Sequence, residues 1–450
     1  LFDLSTGKLV GLTRTLDMQK GVYTRTVEWE SPSGKRVGIE IRRMVSFAVK
    51  ELFTIDYRVT PLNFSGKIGF VSEATADVRS YCDANDPRTK SCPEINLRFV
   101  ASDIHDGVLC LLSETMRSHI GVASAVTHTL DREASFAYEG DGMTVRARVE
   151  VNAGEKEQVR LVKYVYCMDG EPDGLTEKAL SLAVAHTGSI DALYDRQRAY
   201  LDQRWAIADI SIDSDDDMDG SLRYCIYQMI CQAARCEDSI PAKGLSGEGY
   251  EGHYFWDTEI FIHPFYALTD PQRARELLLF RYRTLYAARQ NARRLGHRRG
   301  AAYPWRTISG SECSTYFPGG AAQYHINADI AYALVHYCCV TGDEDLLLGQ
   351  GAEILFETAR LWMELGHFQD GSFRIDTVTG PDEYTAMVDN NYYTNIMARH
   401  NLKWAVKVYL ILAGRQDHEL VERIGLSSEE VCGFEKACQN MYLPYDDGLG

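Results

Sequence analysis

Neither a CxxC pair nor a Cys/His set at zinc spacing occurs in the sequence, although 12 cysteines are spread along its 450 residues. A structural zinc site needs its ligands at short, fixed separations, so scattered thiols argue against one. They read instead as reduced structural thiols, several of which, such as Cys225 and Cys338, fall on apolar helical faces where a thiol packs as a small hydrophobe. Cys82 and Cys92 bracket a polar loop and are the one pair to watch for a bridge. Cationic excess is also missing: 47 Lys+Arg stand against 64 Asp+Glu, a net charge of −17. Neutralising nucleic-acid phosphates requires a cationic face, and the one Arg-rich stretch, residues 281–299, is interrupted by apolar residues at helical spacing. It reads as a solvated helix face, and no nucleic-acid partner is expected. No apolar run approaches the roughly 18 to 20 residues that cross a bilayer, and no charged-then-apolar leader opens the chain. The expectation is a cytoplasmic protein without a membrane partner. The chain opens on Leu1 rather than Met and stops in Asp446-Asp447-Gly448-Leu449-Gly450, which reads as a fragment of a longer protein.

What is present is a globular composition, 45% hydrophobic and 25% charged, in a chain long enough for roughly two to three domains. The hydrophobic period changes near residue 175. Before it, apolar and polar residues alternate, as in Val37-Gly38-Ile39-Glu40-Ile41-Arg42 and again at Met143, Val145, Ala147, Val149 and Val151. Turns such as Ser33-Gly34-Lys35 separate the runs, and residues 1–175 are predicted to form an antiparallel β-sandwich. After it the spacing is helical. Ile190, Tyr194, Leu201 and Trp205 share one face of a charged helix, and residues 176–219, ending in an acidic stretch, are expected to be a helical linker. From 220 to 450 the i, i+3, i+4, i+7 pattern recurs, for example at Ile330, Leu334, Tyr337 and Cys338, and at Ala398, Leu402, Ala405, Val408 and Leu412, so this part reads as all-α. Long aromatic, Gly-rich connections at 243–256, 296–325 and 366–394 interrupt the helices. Loops of that length in a compact helical domain usually carry function.

Each connection holds candidates, and each candidate has a structural alternative. In the first, Trp256 offers an apolar platform for a pyranose face and Asp257 an acceptor for sugar hydroxyls; a core Trp at a plain helix start is the alternative. In the second, Trp305 and Glu312 are placed to line a pocket, beside Arg306, Ser314, His325 and Asn327. Here Trp305 packing under its loop, a solvated Arg306, a satisfied core His325 and an Asn327 capping the next helix compete. The third, Gly380-Pro381-Asp382-Glu383-Tyr384-Thr385, sets two adjacent carboxylates on a turn. Neighbouring side chains diverge, so one carboxylate can face a pocket, and a Glu kept protonated by apolar neighbours such as Tyr384 can act as a general acid. A surface turn with solvated acids is the alternative.

Taken together, Phe255-Trp256-Asp257-Thr258-Glu259, His325-Ile326-Asn327 and Gly380-Pro381-Asp382-Glu383-Tyr384, in this order, resemble glycoside hydrolase family 65, which includes maltose, kojibiose, nigerose and trehalose phosphorylases. Leu16-Asp17-Met18-Gln19-Lys20-Gly21, Arg42-Arg43 and Pro61-Leu62-Asn63-Phe64-Ser65-Gly66 are similar to the amino-terminal β-domain of that family. The resemblance implies a β-sandwich, a helical linker and a catalytic (α/α)6 barrel that is truncated here at its carboxy-terminal end. It also implies homodimers, Glu383 as catalytic acid, and Trp256 and Asp257 holding the non-reducing glucose. Phosphate is implied as co-substrate, with no metal or organic cofactor, and its binding segment is expected beyond residue 450.

The reaction so implied is inverting phosphorolysis of an α-linked glucosyl disaccharide. Glu383 protonates the glycosidic oxygen while phosphate attacks the opposite face of the anomeric carbon, giving β-glucose 1-phosphate and the acceptor sugar. Trehalose-type members tend to carry His directly after the Tyr of the acid loop, where Thr385 stands; maltose-type members tend to carry His after the Glu-Cys of the second connection, where Ser314 stands. Both positions are expected to face the acceptor, which favours a nigerose- or kojibiose-type substrate. A hydrolase of the same family and a non-catalytic carbohydrate-binding relative are the alternatives.

Overall fold

The computed structural model describes residues 2–85, 94–185, 188–213, 216–233, 238–244, 249–314 and 318–448. Two compact units divide the chain, Leu1–Gln228 and Met229–Gly450. The division falls inside a helix (Asp216–Ala233), a few residues beyond the boundary of 220 read from the sequence.

Among the described residues of the first unit eleven strands occur: β1 (Lys8–Asp17), β2 (Val22–Glu30), β3 (Arg36–Val45), β4 (Leu52–Pro61), β5 (Gly66–Thr75), β6 (Leu97–His105), β7 (Val108–Thr115), β8 (Gly121–Leu130), β9 (Ala137–Gly140), β10 (Thr144–Ala153) and β11 (Val159–Gly170). Eight of them form an antiparallel sheet in the order β1-β2-β3-β4-β11-β8-β7-β6, and β5-β10-β9 form a second. The two pack face to face, since Ile39, Ile41, Val59 and Leu161 of the large sheet share a core with Ile68, Phe70, Val149 and Val151 of the small one. The alternation of β10 explains its placement: Val145, Ala147, Val149 and Val151 are buried, while Arg146 and Arg148 point outward to Glu73, Asp141 and Glu139. On the other face of the large sheet lie α1 (Leu175–Ala185) and α2 (Ile190–Ala208), whose Leu175, Ala179, Ile190 and Leu193 pack on Val108, Ala123, Val162 and Tyr164. Covered on both faces, β7 reads as a continuous apolar run, VLCLL, rather than an alternating one. Gln197 of α2 is fully buried and pins the end of β3, accepting from the Phe47 N–H at 2.8 Å and donating to the Val45 carbonyl at 3.1 Å. The segment expected to be a separate linker is therefore folded onto the strands as far as α2.

The second unit is helical. After the helix Asp216–Ala233, here α3, come α4 (His263–Thr269), α5 (Pro271–Arg283), α6 (Leu285–Arg294), α7 (Ile326–Thr341), α8 (Glu344–Leu348), α9 (Gln350–Leu365), α10 (Tyr392–Gly414), α11 (Glu419–Arg423) and α12 (Ser428–Gln439). Helix α9 is buried from Gly351 to Trp362 without a break, which only a helix surrounded by others can be. Leu334 and Tyr337 of α7, Leu355, Phe356 and Trp362 of α9, and Ala398, Leu402, Ala405 and Val408 of α10 form the core, with the Trp362 indole donating to Asn401 at 2.9 Å. The third long connection is structured at its start by a hairpin, β12 (Gly366–Gln369) with β13 (Ser372–Ile375).

Two readings of side chains need correction. Cys225 is exposed, because the apolar face of α3 runs through Ile226 and Ile230 instead, whereas Cys338 is buried and its thiol is pushed up to about 12 by desolvation. Arg281, read as part of a solvated face, is only 1% exposed and ion-paired with Glu259. Cys92 lies outside the described residues, so the Cys82–Cys92 pairing does too. Among the described residues no helix is long and apolar enough to cross a membrane, and no cluster of three metal-ligating side chains occurs.

Candidate active site

The first two connections are stitched together next to their candidate residues. Tyr254 and Thr307 exchange backbone hydrogen bonds at 2.7 and 3.1 Å, an isolated antiparallel bridge that brings Trp256 and Trp305 into one region. Immediately after Asp257 the chain enters a π-helical turn, Thr258–Ile262, the kind of irregularity that concentrates at functional sites because it re-aims side chains. Asp257 is half-buried, makes no capping bond to that turn, and desolvation pushes its carboxyl above the usual value. The turn is anchored by Glu259, whose carboxylate receives the Arg281 Nε and one terminal nitrogen at 2.7 and 3.0 Å. Burial pushes Glu259 up, and the guanidinium facing it pulls the other way.

Trp256 sits at the meeting point of the three connections. Its ring lies edge-to-face against His325 at 4.8 Å, Phe261 at 5.1 Å and Tyr393 at 5.8 Å. Beneath, the small core of Leu285, Ala288, Ile326 and Ile330 supports it. The rings on either side are fixed in turn by Asp329, which no solvent reaches: one oxygen meets His325 Nδ1 at 2.7 Å and the other receives the Tyr393 hydroxyl at 2.8 Å. Desolvation raises the Asp329 carboxyl, while hydrogen bonds from His325 and Tyr393 act against it. His325 is thus a satisfied, fully buried residue, as its structural alternative held. Asn327 does not cap α7. It lies inside the helix, where its Oδ1 accepts the Tyr303 N–H at 2.8 Å and so fixes the backbone ahead of Trp305.

Glu312 is the clamp of the second connection rather than a free pocket wall. Its oxygens accept from the Trp305 N–H at 3.0 Å, the Ser314 N–H at 2.9 Å and the Ser314 hydroxyl at 2.6 Å, which also commits Ser314 to the loop. Trp305 packs edge-on against Phe255 at 4.8 Å, and Arg306 pairs with Glu251 at 3.3 Å. The Trp305 Nε1 and the Arg306 Nε are buried donors with no acceptor among the described residues.

The acid loop is held at its base. Val378 and Val388 pair across it, and the Thr379 N–H donates to the Ala322 carbonyl at 3.0 Å. Its turn is closed by the Asp382 carbonyl, which accepts the Thr385 hydroxyl at 2.8 Å, and by the Asp382 carboxylate, which accepts the Tyr384 N–H at 2.9 Å. At the tip, however, Glu383 is exposed and Tyr384 wholly so. The expectation that Tyr384 shields Glu383 is corrected: both side chains are exposed, and the Tyr384 ring, wholly open to solvent, buries neither itself nor its neighbour. Asp329, Tyr393, Glu259 and Arg281 were not among the sequence candidates. The i, i+4 spacing of His325 and Asp329 on one helix was the one available signal for the first of them.

Comparison with known proteins establishes the family of the chain. The chain matches the glycosyl hydrolase family 65 N-terminal domain over residues 1–204 and the glycosyl hydrolase family 65 central catalytic domain over residues 223–450. It is 41% identical to an alpha,alpha-trehalose phosphorylase of Geobacillus stearothermophilus, across all of this chain and 59% of that one. To a kojibiose phosphorylase of Halothermothrix orenii it is 31% identical, across 99% of this chain and 60% of that one. A solved structure provisionally described as a kojibiose phosphorylase from the human microbiome shares the fold, with a TM-score of 0.86 at 24% identity over 99% of this chain and 59% of that one. The chain therefore spans about three fifths of the length of these proteins, and with both family domains matched in sequence it belongs to glycosyl hydrolase family 65.

Proposed function

We propose that this chain carries the glucose-holding and proton-donating part of an inverting disaccharide phosphorylase. The observation that carries the reading is the convergence of Trp256, His325 and Tyr393, one from each long connection, with half-buried Asp257 next in the chain; Trp305 and Arg306, both packed on Phe255, add one donor each that has no acceptor among the described residues. An aromatic platform flanked by a few converging polar groups is what a pyranose needs. Glu383, on the same connection as Tyr393, donates its proton to the glycosidic oxygen. Phosphate attacks the anomeric carbon from the opposite face as the bond to the leaving oxygen breaks, and the products are β-glucose 1-phosphate and the acceptor sugar. Phosphate is a competent nucleophile, so no second carboxylate is required; an inverting hydrolase would need one at roughly 6.5–9.5 Å from the acid to activate water. The helices of the second unit are taken as part of an (α/α)6 barrel, the active enzyme as a cytoplasmic homodimer, and the phosphate-binding segment as lying outside residues 1–450.

The preference for a nigerose- or kojibiose-type substrate rested on Thr385 and Ser314 facing the acceptor. Both hydroxyls are engaged inside their own loops. Trehalose therefore enters as a second reading, favoured by the higher identity to a trehalose phosphorylase than to a kojibiose phosphorylase. Incubating the full-length protein with trehalose, kojibiose, nigerose and maltose, with and without phosphate, decides both points. Glucose 1-phosphate must appear only with phosphate; free glucose formed at the same rate without phosphate would replace this reading with hydrolysis.

A further inference from the structure

Helices α6 and α9, the segment Arg299–Gly300 and the end of α11 with the turn after it line an open cavity of about 430 Å3, none of whose lining residues is among those of the candidate sugar site. Its walls are almost wholly charged. Five guanidinium groups line it, from Arg289, Arg293, Arg299, Arg360 and Arg423, against the carboxylates of Glu353 and Glu357. The two carboxylates are buried and shared: Glu353 receives Arg289 at 2.8 Å and Arg423 at 2.7 Å, and Glu357 receives Arg360 at 2.9 Å and Arg289 at 3.3 Å. A third, Glu430 of α12, pairs with Arg360 at 3.0 Å and Arg299 at 2.8 Å. Five positive charges therefore meet three negative ones, an excess of two. In a chain of net charge −17 such a local surplus is not a reflection of overall composition. Among the described residues Arg293, which is exposed, hydrogen-bonds through its side chain only to the His297 carbonyl, at 3.4 Å, and Arg299 commits one nitrogen to Glu430, so planar donor forks are left at the cavity wall.

We infer that this cavity binds a phosphate monoester dianion of phosphosugar size. Two surplus charges match the dianion, and guanidinium forks match phosphate oxygens in pairs. The volume lies in the range of small-molecule sites and exceeds what a bare phosphate fills, leaving room for a hexose. The buried Glu353 and Glu357 hold the guanidinium planes in place before the ligand arrives, which lowers the ordering cost of binding.

The test is calorimetric titration of the full-length protein, in a Trp256→Ala background that removes the sugar platform of the proposed active site, with glucose 6-phosphate, inorganic phosphate and glucose at fixed ionic strength. Glucose 6-phosphate is expected to bind saturably and more tightly than inorganic phosphate, and glucose not to bind. Adding Arg293→Ala and Arg299→Ala should weaken glucose 6-phosphate by at least about tenfold, the size of one lost charge-assisted hydrogen bond. Because both side chains are exposed, the double variant is expected to keep its unfolding midpoint. Equal affinity for phosphate and phosphosugar would overturn the assignment of ligand class, and binding unaltered by the two substitutions, or none in either background, would overturn the site.

Discussion

Replacing Glu259 by Gln tests whether the turn bearing Trp256 and Asp257 is built around a buried charge pair. The carboxylate and the Arg281 guanidinium are 3% and 1% exposed and meet through two bonds of 2.7 and 3.0 Å. Gln keeps the shape but removes the negative charge and turns an N–H toward a guanidinium that has no acceptor to spare. A buried cation left without its partner costs about 3–5 kcal/mol. Glu259→Gln should therefore lower the urea midpoint of the helical unit, followed by tryptophan fluorescence, by roughly 1 M if its m-value is near 3 kcal/mol/M. Removing the cation as well discriminates this cause from a packing defect. The double variant Glu259→Gln, Arg281→Met should be more stable than Glu259→Gln alone, because the uncompensated charge is gone. A single variant costing under about 1 kcal/mol, or a double variant whose losses simply add, would refute the reasoning.

Other expectations follow from the same physics. Tyr393→Phe removes one of the two hydrogen bonds to fully buried Asp329 and should cost about 1–3 kcal/mol of stability; it should also raise the KM for disaccharide more than it lowers kcat, since the ring holds Trp256 and does not react. Trp256→Ala should weaken glucose binding at least about tenfold, measured by calorimetry, as expected for a lost apolar platform. His263 is buried with no partner at either ring nitrogen among the described side chains, and desolvation pushes it down to about 4. Because its folded pKa lies below the unfolded value near 6.5, the stability it contributes is full above that value and is lost as pH falls towards 4, up to about 3 kcal/mol. His128 behaves alike in the first unit, so both units should lose stability between pH 6.5 and 4. A urea midpoint flat across that window, or a His263→Leu variant with an unchanged slope, would contradict this.

Local patterning carried the β-unit and the helices because burial follows period. The alternation from Val145 to Val151 and the i, i+4 rows of α7 and α10 point into cores as spacing requires. Pairwise electrostatics were not legible. Arg281 looked like one of a solvated row because its partner, Glu259, comes from another element and sequence spacing does not encode that encounter. Likewise Asn327 stood where a cap is common, yet its acceptor serves Tyr303 on a different segment. Glu383 and Tyr384 were read as mutually shielding because they are neighbours, while the turn that Asp382 closes sends both side chains outward. The residues that carry the resemblance were readable as a motif; the network of Asp329 and Tyr393 that supports Trp256 needed coordinates.

The role of Glu383 is tested most directly with a substrate whose leaving group needs no proton. In the full-length protein, Glu383→Gln should lose turnover of the natural disaccharide, yet in the presence of phosphate it should still convert α-glucosyl fluoride to β-glucose 1-phosphate, read by NMR of the anomeric proton. Equal loss on both substrates, or a disaccharide rate close to that of the unaltered protein, would contradict general-acid catalysis by this residue.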